Sequence, residues 1–168
     1  MSSTTHRSQV SYIDRTREYY AAQGYERPYA WARHADAPFA PLRKPLARCR
    51  VAIITTASPW RAAPLAGTGV VSIEKNVWSG PTSPPPQRLF TDDLAWDKDA
   101  THTRDLETFL PVERLREFAS EGRIGALAPR FHGVPTDFSQ RRTMKVDAPD
   151  ILARCREDTA DVVLLVPL

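Results

Sequence analysis

The sequence predicts an α/β fold, an open and mostly parallel sheet with flanking helices. Two apolar runs, at residues 51–56 and 161–168, have no polar face, which is typical of strands buried on both sides in a parallel sheet. From the first run to the second, the predicted order of elements is strand, helix, strand, helix, strand. A length of 168 residues suits one domain with its own core, and 15 prolines against 7 glycines indicate long irregular connections.

The first 50 residues are predicted to form a helix followed by an extended arm. Residues 9–23 have a helical pattern, and Gly24 stands where a left-handed C-cap is needed. Four prolines then interrupt residues 25–50, which predicts an arm that wraps around a body. Residues 1–50 contain nine Lys and Arg and four Asp and Glu. The basic residues are scattered along the segment, which favours a solvated arm over a nucleic-acid or membrane patch. We therefore divide the chain into residues 1–50, the helix and arm, and residues 51–168, the α/β domain.

The α/β domain opens with its clearest strand, at residues 51–56. Periodicity is then lost over residues 61–104, a length that indicates a functional or irregular connection. Two short strands are predicted within it, near residues 70–73 and 88–90, on either side of a proline-rich turn at residues 81–86.

Regular elements return in the second half of the domain. A helix is predicted over residues 111–119, a short strand over residues 124–128, and a loop over residues 129–133. A second helix is predicted to start at the capping residue Asp147 and to lead into the terminal strand. The residues expected to face the sheet from this helix are Ile151, Leu152 and Cys155. A helix normally follows such a strand, so we expect the sheet to be incomplete at the C-terminus, as the N-terminal part of a longer domain.

Two pairs of polar residues are candidates for lining a substrate pocket. Thr55 and Thr56 end the first strand, where hydroxyl groups and backbone amides can hold an anion. Arg130 and His132 follow a strand, and an arginine can clamp a carboxylate while a histidine can carry protons. The catalytic residue itself stays unknown from these patterns.

An acidic cluster is the weaker candidate, for a metal. Asp93, Asp97 and His102 are potential ligands, but no calcium-loop or zinc-hydrolase spacing is present, so a solvated acidic loop is favoured and no metal site is predicted. A metal-dependent hydrolase is the most remote alternative. No dinucleotide or P-loop motif occurs, and no cofactor is predicted. Cys49 and Cys155 have no metal or redox spacing and are expected to be small buried side chains.

Targeting signals are not visible in the sequence. The first residues lack an apolar signal region, and no run approaches the roughly 20 apolar residues of a membrane span. We therefore expect a cytoplasmic protein with neither membrane nor nucleic acid as its partner.

Several segments, in this order, carry a resemblance to a known family. Residues 50–58 (RVAIITTAS), 109–117 (FLPVERLRE), 122–130 (GRIGALAPR) and 161–168 (DVVLLVPL) resemble the glycine/sarcosine/betaine (and D-proline) reductase selenoprotein B family. Residues 133–142 (GVPTDFSQRR) resemble a branch of uncharacterised members. The resemblance runs from about residue 30 to the end, and the order and spacing of the segments carry it rather than any single motif.

The resemblance implies an oxidoreductase that attacks its substrate with a selenocysteine or cysteine placed directly after the terminal strand. Selenocysteine is encoded by UGA, so the resemblance implies an N-terminal portion that ends, at Leu168, where such a codon was taken as a stop. The selenolate would displace the amine of an amino acid or betaine-like small molecule, by the logic of an activated thiolate. Reductase-complex subunits, or a second copy of the chain, are the implied partners.

A non-enzymatic interaction module, completed by a partner chain, is the alternative. Its surface would be the wrapping arm and the edge of the terminal strand. Whichever function holds, we expect the 168-residue chain alone to lack reductase activity, because it lacks the redox residue, and to aggregate through its apolar terminal strand.

Overall fold

The computed structural model describes residues 12–25, 27, 35–37, 40–59, 76–91, 103–134 and 139–168. The chain divides into two compact units, Met1–Pro38 and Phe39–Leu168. Residues 40–50, which we assigned to the arm, thus belong to the unit that contains the sheet.

The first unit contains one described helix, α1 (Tyr12–Ala22). Gly24 follows it with a φ of +82°, a left-handed conformation that glycine adopts without steric cost. The amide of Tyr25 donates to the carbonyl of Tyr20, and that of Gly24 donates to Ala21, the two bonds of a Schellman motif. The predicted helix and its glycine cap are confirmed.

The second unit contains a five-stranded sheet and helices. Its described strands and helices, in chain order, are β1 (Arg50–Thr55), β2 (Trp78–Pro81), α2 (Val112–Ser120), β3 (Ala126–Leu127), β4 (Arg130–Gly133), α3 (Gln140–Arg142), α4 (Ala148–Glu157) and β5 (Val162–Val166). β3 and β4 pair in turn with the same edge of β1, and β5 pairs with its other edge. These pairings are parallel, while β2 is antiparallel to β4. The α/β class and the open, mostly parallel sheet are confirmed.

β1 is the centre of this sheet because it is covered on both faces. Val51 and Ile53 pack in the hydrophobic cluster that includes α2, and Ala52 and Ile54 pack in the cluster that includes α4. Ile53 has no exposed surface. The alternation of side chains along a strand therefore sends residues of one apolar run into two separate cores.

The loop predicted at residues 129–133 is wrong, because β4 occupies Arg130–Gly133. This strand is stabilised from both edges, by β1 in parallel and by β2 in antiparallel pairing. β2 itself was not predicted, since Trp-Ser-Gly-Pro has little strand character and forms one only by pairing with β4. Pro129 separates β3 from β4 and has no amide hydrogen to donate to a ladder.

The predicted start of the second helix is confirmed in position, because α4 begins at Ala148, but the predicted cap is wrong, because Asp147 makes no capping hydrogen bond. The chain is already helical from Gln140, where the hydroxyl of Ser139 accepts a hydrogen bond from the amide of Arg142 at 3.2 Å. A π-helical segment, Thr143–Asp147, then continues into α4, and Asp147 has helical dihedral angles and no capping bond. Leu152, expected to face the sheet, is 50% exposed.

β5 departs from the expectation of a fully buried strand. It is a parallel strand, as predicted, and pairs with β1 along residues 51–55, but its central side chains are exposed, Leu165 by 68%. In the described residues β5 has one neighbouring strand, so its outer edge lacks the cover that β1 receives. The strand predicted near residues 70–73 lies outside the described residues. Near residues 88–90 the structure has a single bridge, between Phe90 and Ser58.

Replacement of Ile53 by alanine tests the central position of β1. We expect Ile53→Ala to lower the free energy of unfolding by about 3–4 kcal/mol, because the lost side chain leaves a cavity in a core that cannot fully collapse. The matched control, Leu152→Ala on the exposed face of α4, should cost less than about 1 kcal/mol. Chemical denaturation of both variants measures the difference, and equal losses would contradict the assignment.

Candidate functional site

The carboxyl ends of the parallel strands meet at one edge of the sheet. Thr55, the last residue of β1, pairs with Gly133 of β4 and with Val166 of β5. The connections that follow parallel strands gather at such an edge, which is where α/β proteins usually bind ligands. Thr55 and Thr56 lie here, as the sequence predicted.

Both threonine hydroxyl groups at this edge form hydrogen bonds with backbone groups. Thr55 is fully buried, and its Oγ1 accepts a hydrogen bond from the amide of Ala57 at 3.2 Å. Oγ1 of Thr56 accepts from the amide of Leu168 at 2.8 Å and lies 3.2 Å from the carbonyl oxygen of Leu168. Thr56 therefore fixes the backbone that leaves β5, across 112 residues of sequence.

Trp78 packs over the same edge. Its indole Nε1 donates to the carbonyl of Ala57 at 3.2 Å, and its ring packs edge-on against Phe131, with 5.2 Å between the ring centres. A β-carbon on Gly133 would lie 2.1 Å from the indole, so only glycine permits this contact. The indole thereby joins β2 to the end of β1.

Arg130 and His132 lie in β4 rather than in a loop. Arg130 donates from Nε to both carboxylate oxygens of Asp158, at 3.0 and 3.1 Å, and from Nη2 to Glu157 at 3.0 Å. These hydrogen bonds raise the pKa of Arg130, with Asp158 as the larger cause. The guanidinium is committed to the C-terminal end of α4 and is not available as a simple clamp for a substrate carboxylate.

His132 is fully buried and belongs to a chain of hydrogen bonds. Its Nδ1 lies 2.9 Å from the hydroxyl oxygen of Ser79. That oxygen also accepts from Nη1 of Arg154 at 2.8 Å, and Arg154 in turn forms a bidentate pair with Asp150, at 2.9 and 3.1 Å. A neutral ring with its proton on Nε2, the atom that faces Asp158, would accept the hydroxyl proton of Ser79 at Nδ1.

Nε2 of His132 faces Asp158 at 3.4 Å and has no hydrogen bond in the described residues. Burial lowers the pKa of His132, and the nearby Arg130 and Arg154 lower it further, while Asp158 opposes the change. The neutral imidazole is therefore the stable form near neutral pH. A neutral histidine that accepts from a serine can act as a base, but a substrate would reach only the half-buried Ser79.

The four pocket candidates do not form one site. His132 is the register partner of Ile54, so it lies on the face of the sheet that α4 covers. Thr55 follows Val51 and Ile53 in the alternation of β1 and lies on the face that α2 covers. Arg130 points to the same face as His132, but it lies two residues nearer the amino end of β4. The structure thus joins Arg130 with His132 and separates both from Thr55, while Thr56 is bound to the backbone of Leu168.

The remaining candidates contribute no site in the described residues. The acidic cluster, with Asp93, Asp97 and His102, lies outside them, and within them no group of three potential ligands could hold a metal. Cys49 and Cys155 are buried free thiols. Sγ of Cys49 is within hydrogen-bond distance of the carbonyls of Lys44 and Pro45, and burial raises the pKa of Cys155. Cys155 therefore lacks the lowered pKa of an activated thiolate.

Four members of the polar network escaped the sequence analysis. Asp150 and Arg154 have the i, i+4 spacing of a helical ion pair, which is a visible signal. Asp158 follows a helix C-terminus, where a carboxylate opposes the helix dipole and so requires a cation, here Arg130. Ser79 had no signal, because the strand that carries it was not predicted.

Comparisons with protein-family models, with curated proteins and with solved structures found no match to this chain. None of the helices in the described ranges is long and apolar enough to cross a membrane.

The ion pair of Arg130 with Asp158 is predicted to stabilise the fold. Arg130→Ala leaves a carboxylate that is only 7% exposed without its cation, and we expect a loss of about 2–3 kcal/mol in the free energy of unfolding. Glu157→Ala removes the exposed partner of the same guanidinium and should cost less than about 1 kcal/mol. Urea denaturation measures both, and an equal cost would show that burial of Asp158 is unimportant.

Protonation of His132 is predicted to make stability depend on pH. Since its folded-state pKa is lowered, the unfolded chain takes up the proton first, and the free energy of unfolding should fall as the pH drops below about 6.5. Asp150 and Asp161, whose pKa values are lowered by arginine and lysine partners, should act only at and below about pH 4. Denaturation at a series of pH values measures the effect, and His132→Gln should remove the step near pH 6. If that variant does not fold, an NMR titration of the ring decides, and a pKa at or above 6.5 would refute the prediction.

Proposed function

We propose that this chain is the N-terminal portion of an oxidoreductase of the glycine/sarcosine/betaine reductase selenoprotein B type. Its substrate would be an amino acid or a betaine-like small molecule, and its nucleophile a selenocysteine or cysteine in a segment that follows Leu168. The resemblance of residues 50–58, 109–117, 122–130 and 161–168 supports this proposal. These segments contain β1, the start of α2, β3 and β5.

The single observation that carries the proposal is the contact between Thr56 and Leu168. Oγ1 of Thr56 holds both the amide and the carbonyl of Leu168 at the carboxyl edge of β1. A residue that follows Leu168 would therefore start beside the ends of three parallel strands, where ligands of α/β folds bind. Further strands and helices of the same domain would then complete the sheet along β5.

The substrate carboxylate requires a cation that Arg130 does not provide. Arg130 forms ion pairs with Asp158 and Glu157 at the C-terminal end of α4. Arg88 is an alternative within the described residues, because its guanidinium lies 5.9 Å from the ring centre of Phe90, which pairs with Ser58 just beyond β1. We propose Arg88 for this role.

The proposed chemistry is a displacement. The selenolate or thiolate forms a bond to the α-carbon, the carbon–nitrogen bond breaks, and the amine leaves with the electron pair of that bond. Partner subunits of a reductase complex would accept the covalent adduct. Two free cysteines suit a reducing compartment, and we place the protein in the cytoplasm.

An interaction module completed by a partner chain is the second candidate. The exposure of Val163, Leu164 and Leu165, at 40%, 38% and 68%, favours it. An apolar edge strand with one neighbour invites pairing with another chain. The partner would add a strand along β5 and cover these side chains.

Sequencing of the gene downstream of the Leu168 codon separates the two candidates. A UGA codon followed by an open frame with nearby cysteines is the expected result, and UAA or UAG with no frame beyond would overturn the reductase proposal in favour of the module. The full-length product, assayed for amine release from glycine, sarcosine and betaine, should then lose tenfold or more of its activity on Thr56→Val, by an order-of-magnitude estimate for a misplaced nucleophile. Thr143→Val, on the exposed π-helical segment, is the matched control and should keep its activity.

A further inference from the structure

A basic cavity of about 530 Å³ lies at the opposite edge of the sheet from Thr56, at the amino ends of β1 and β3. Its polar lining comprises Lys44, Arg48, Arg50, Thr159 and Asp161. Neither the resemblance nor the proposed reductase chemistry uses this edge. Three cationic side chains and one carboxylate line it, which is an excess of positive charge.

Asp161 is the single carboxylate among the residues that line the cavity, and it forms an ion pair with Lys44. Its Oδ2 lies 2.7 Å from Nζ of Lys44 and accepts from the backbone amide of Arg50 at 2.8 Å. Lys44 is the first cause and the Arg50 amide the second of the lowered pKa of Asp161, so this carboxylate is charged at neutral pH. Lys44 and Asp161 thus form an ion pair with each other in the lining of the cavity.

The positive charge of Arg48 and Arg50 exceeds what Asp161 can balance. The charge of Arg50 is a lesser cause of the lowered pKa of Asp161, so these two groups interact. The guanidinium of Arg50 donates to neutral groups, the backbone carbonyl of Asp158 at 3.1 Å and the hydroxyl of Thr159. The carboxylate of Asp158 is occupied by Arg130. In the part of the chain that the structure describes, the side chain of Arg48 forms no ion pair. Three cations and one carboxylate leave the lining with a net charge of +2, and Arg48 and Arg50 carry its two guanidinium groups.

The backbone under these arginines is held closely in place. The amides of Gly125 and Ala126 both donate to the carbonyl of Cys49, at 2.9 and 3.2 Å. A β-carbon on Gly125 would lie 2.5 Å from the carbonyl carbon of Arg48, so only glycine allows this approach. Arg48 and Arg50 are thus carried by a rigid frame, which reduces the entropic cost of binding.

Thr159 supplies an independent sign that this edge is adapted to hold Arg50. It ends α4 in a left-handed conformation, with a φ of +54°, where glycine is usual and a β-branched side chain is strained. Its amide donates to Arg156 and that of Ala160 donates to Cys155, which completes a Schellman motif around it. The hydroxyl of Thr159 accepts a hydrogen bond from the guanidinium of Arg50 and so orients it. Backbone strain of this kind gathers at functional sites.

We propose that this cavity binds a phosphorylated small molecule. The net charge of +2 in the lining matches the charge of a phosphate monoester, close to −2 at neutral pH, and the planar donors of two guanidinium groups suit its oxygens. The volume lies within the roughly 300–1,000 Å³ of small-molecule sites and exceeds what a bare phosphate would fill. The organic part of the ester therefore occupies the remaining space.

Titration of the protein with AMP, ribose 5-phosphate and inorganic phosphate, at constant ionic strength, tests the proposal. We expect saturable binding of at least one ester by calorimetry, tighter than that of inorganic phosphate, and a rise in melting temperature. Arg48→Gln should weaken the binding about tenfold or more, the loss of a charge-assisted bond, and Lys44→Gln should also weaken it, because Asp161 is then freed to repel the ligand. Arg141→Gln, an exposed arginine on α3, is the matched control and should bind as the parent does.

Three outcomes would overturn the proposal. The first is the absence of saturable binding of either ester at millimolar concentration. The second is equal weakening by Arg48→Gln and Arg141→Gln, which would indicate a general charge effect. The third is Arg48-dependent binding of a single-stranded oligonucleotide in place of the esters. Arg48→Gln removes an exposed side chain, so its unliganded melting temperature should equal that of the parent and show that folding is not the cause.

Discussion

The burial of β1 on both faces is the constraint on which the rest of this structure depends. A strand buried on both sides must satisfy its backbone polar groups within the sheet, so both of its edges need partners. β3 and β4 share one edge and β5 takes the other. The two cores, under α2 and under α4, exist because alternate side chains of this single strand supply both.

Parallel pairing around β1 gives the sheet two chemically different edges. At the carboxyl edge, hydroxyl groups of Thr55 and Thr56 hold the backbone that follows β1 and β5. At the amino edge, the cationic side chains of Arg48 and Arg50 line a cavity. The two proposals therefore concern separate ends of the same strand, one with neutral hydroxyl groups that order a following segment and one with positive charge that attracts an anion.

Asp158 connects the buried polar network to the cavity. Its carboxylate holds Arg130 and faces His132, while its backbone carbonyl accepts from Arg50. The turn between α4 and β5 thus contacts both the covered face of the sheet and its amino edge. A disturbance of the ion pair would reach the cavity through this turn, since the same residue serves both and Thr159 follows it directly.

The sequence by itself determined the elements whose residues carry their own pattern: the apolar runs of β1 and β5, the helix α2 and the glycine after α1. Only the tertiary structure decided β2 and β4, because such short polar strands form by pairing with neighbours distant in sequence. It also decided that His132 and Arg130 face α4 while Thr55 faces α2, since a strand alternates its faces and a predicted loop does not. The cavity could not be predicted from the sequence either, because its charged residues come together only when β5 pairs with β1. These residues are Lys44, Arg48, Arg50 and Asp161.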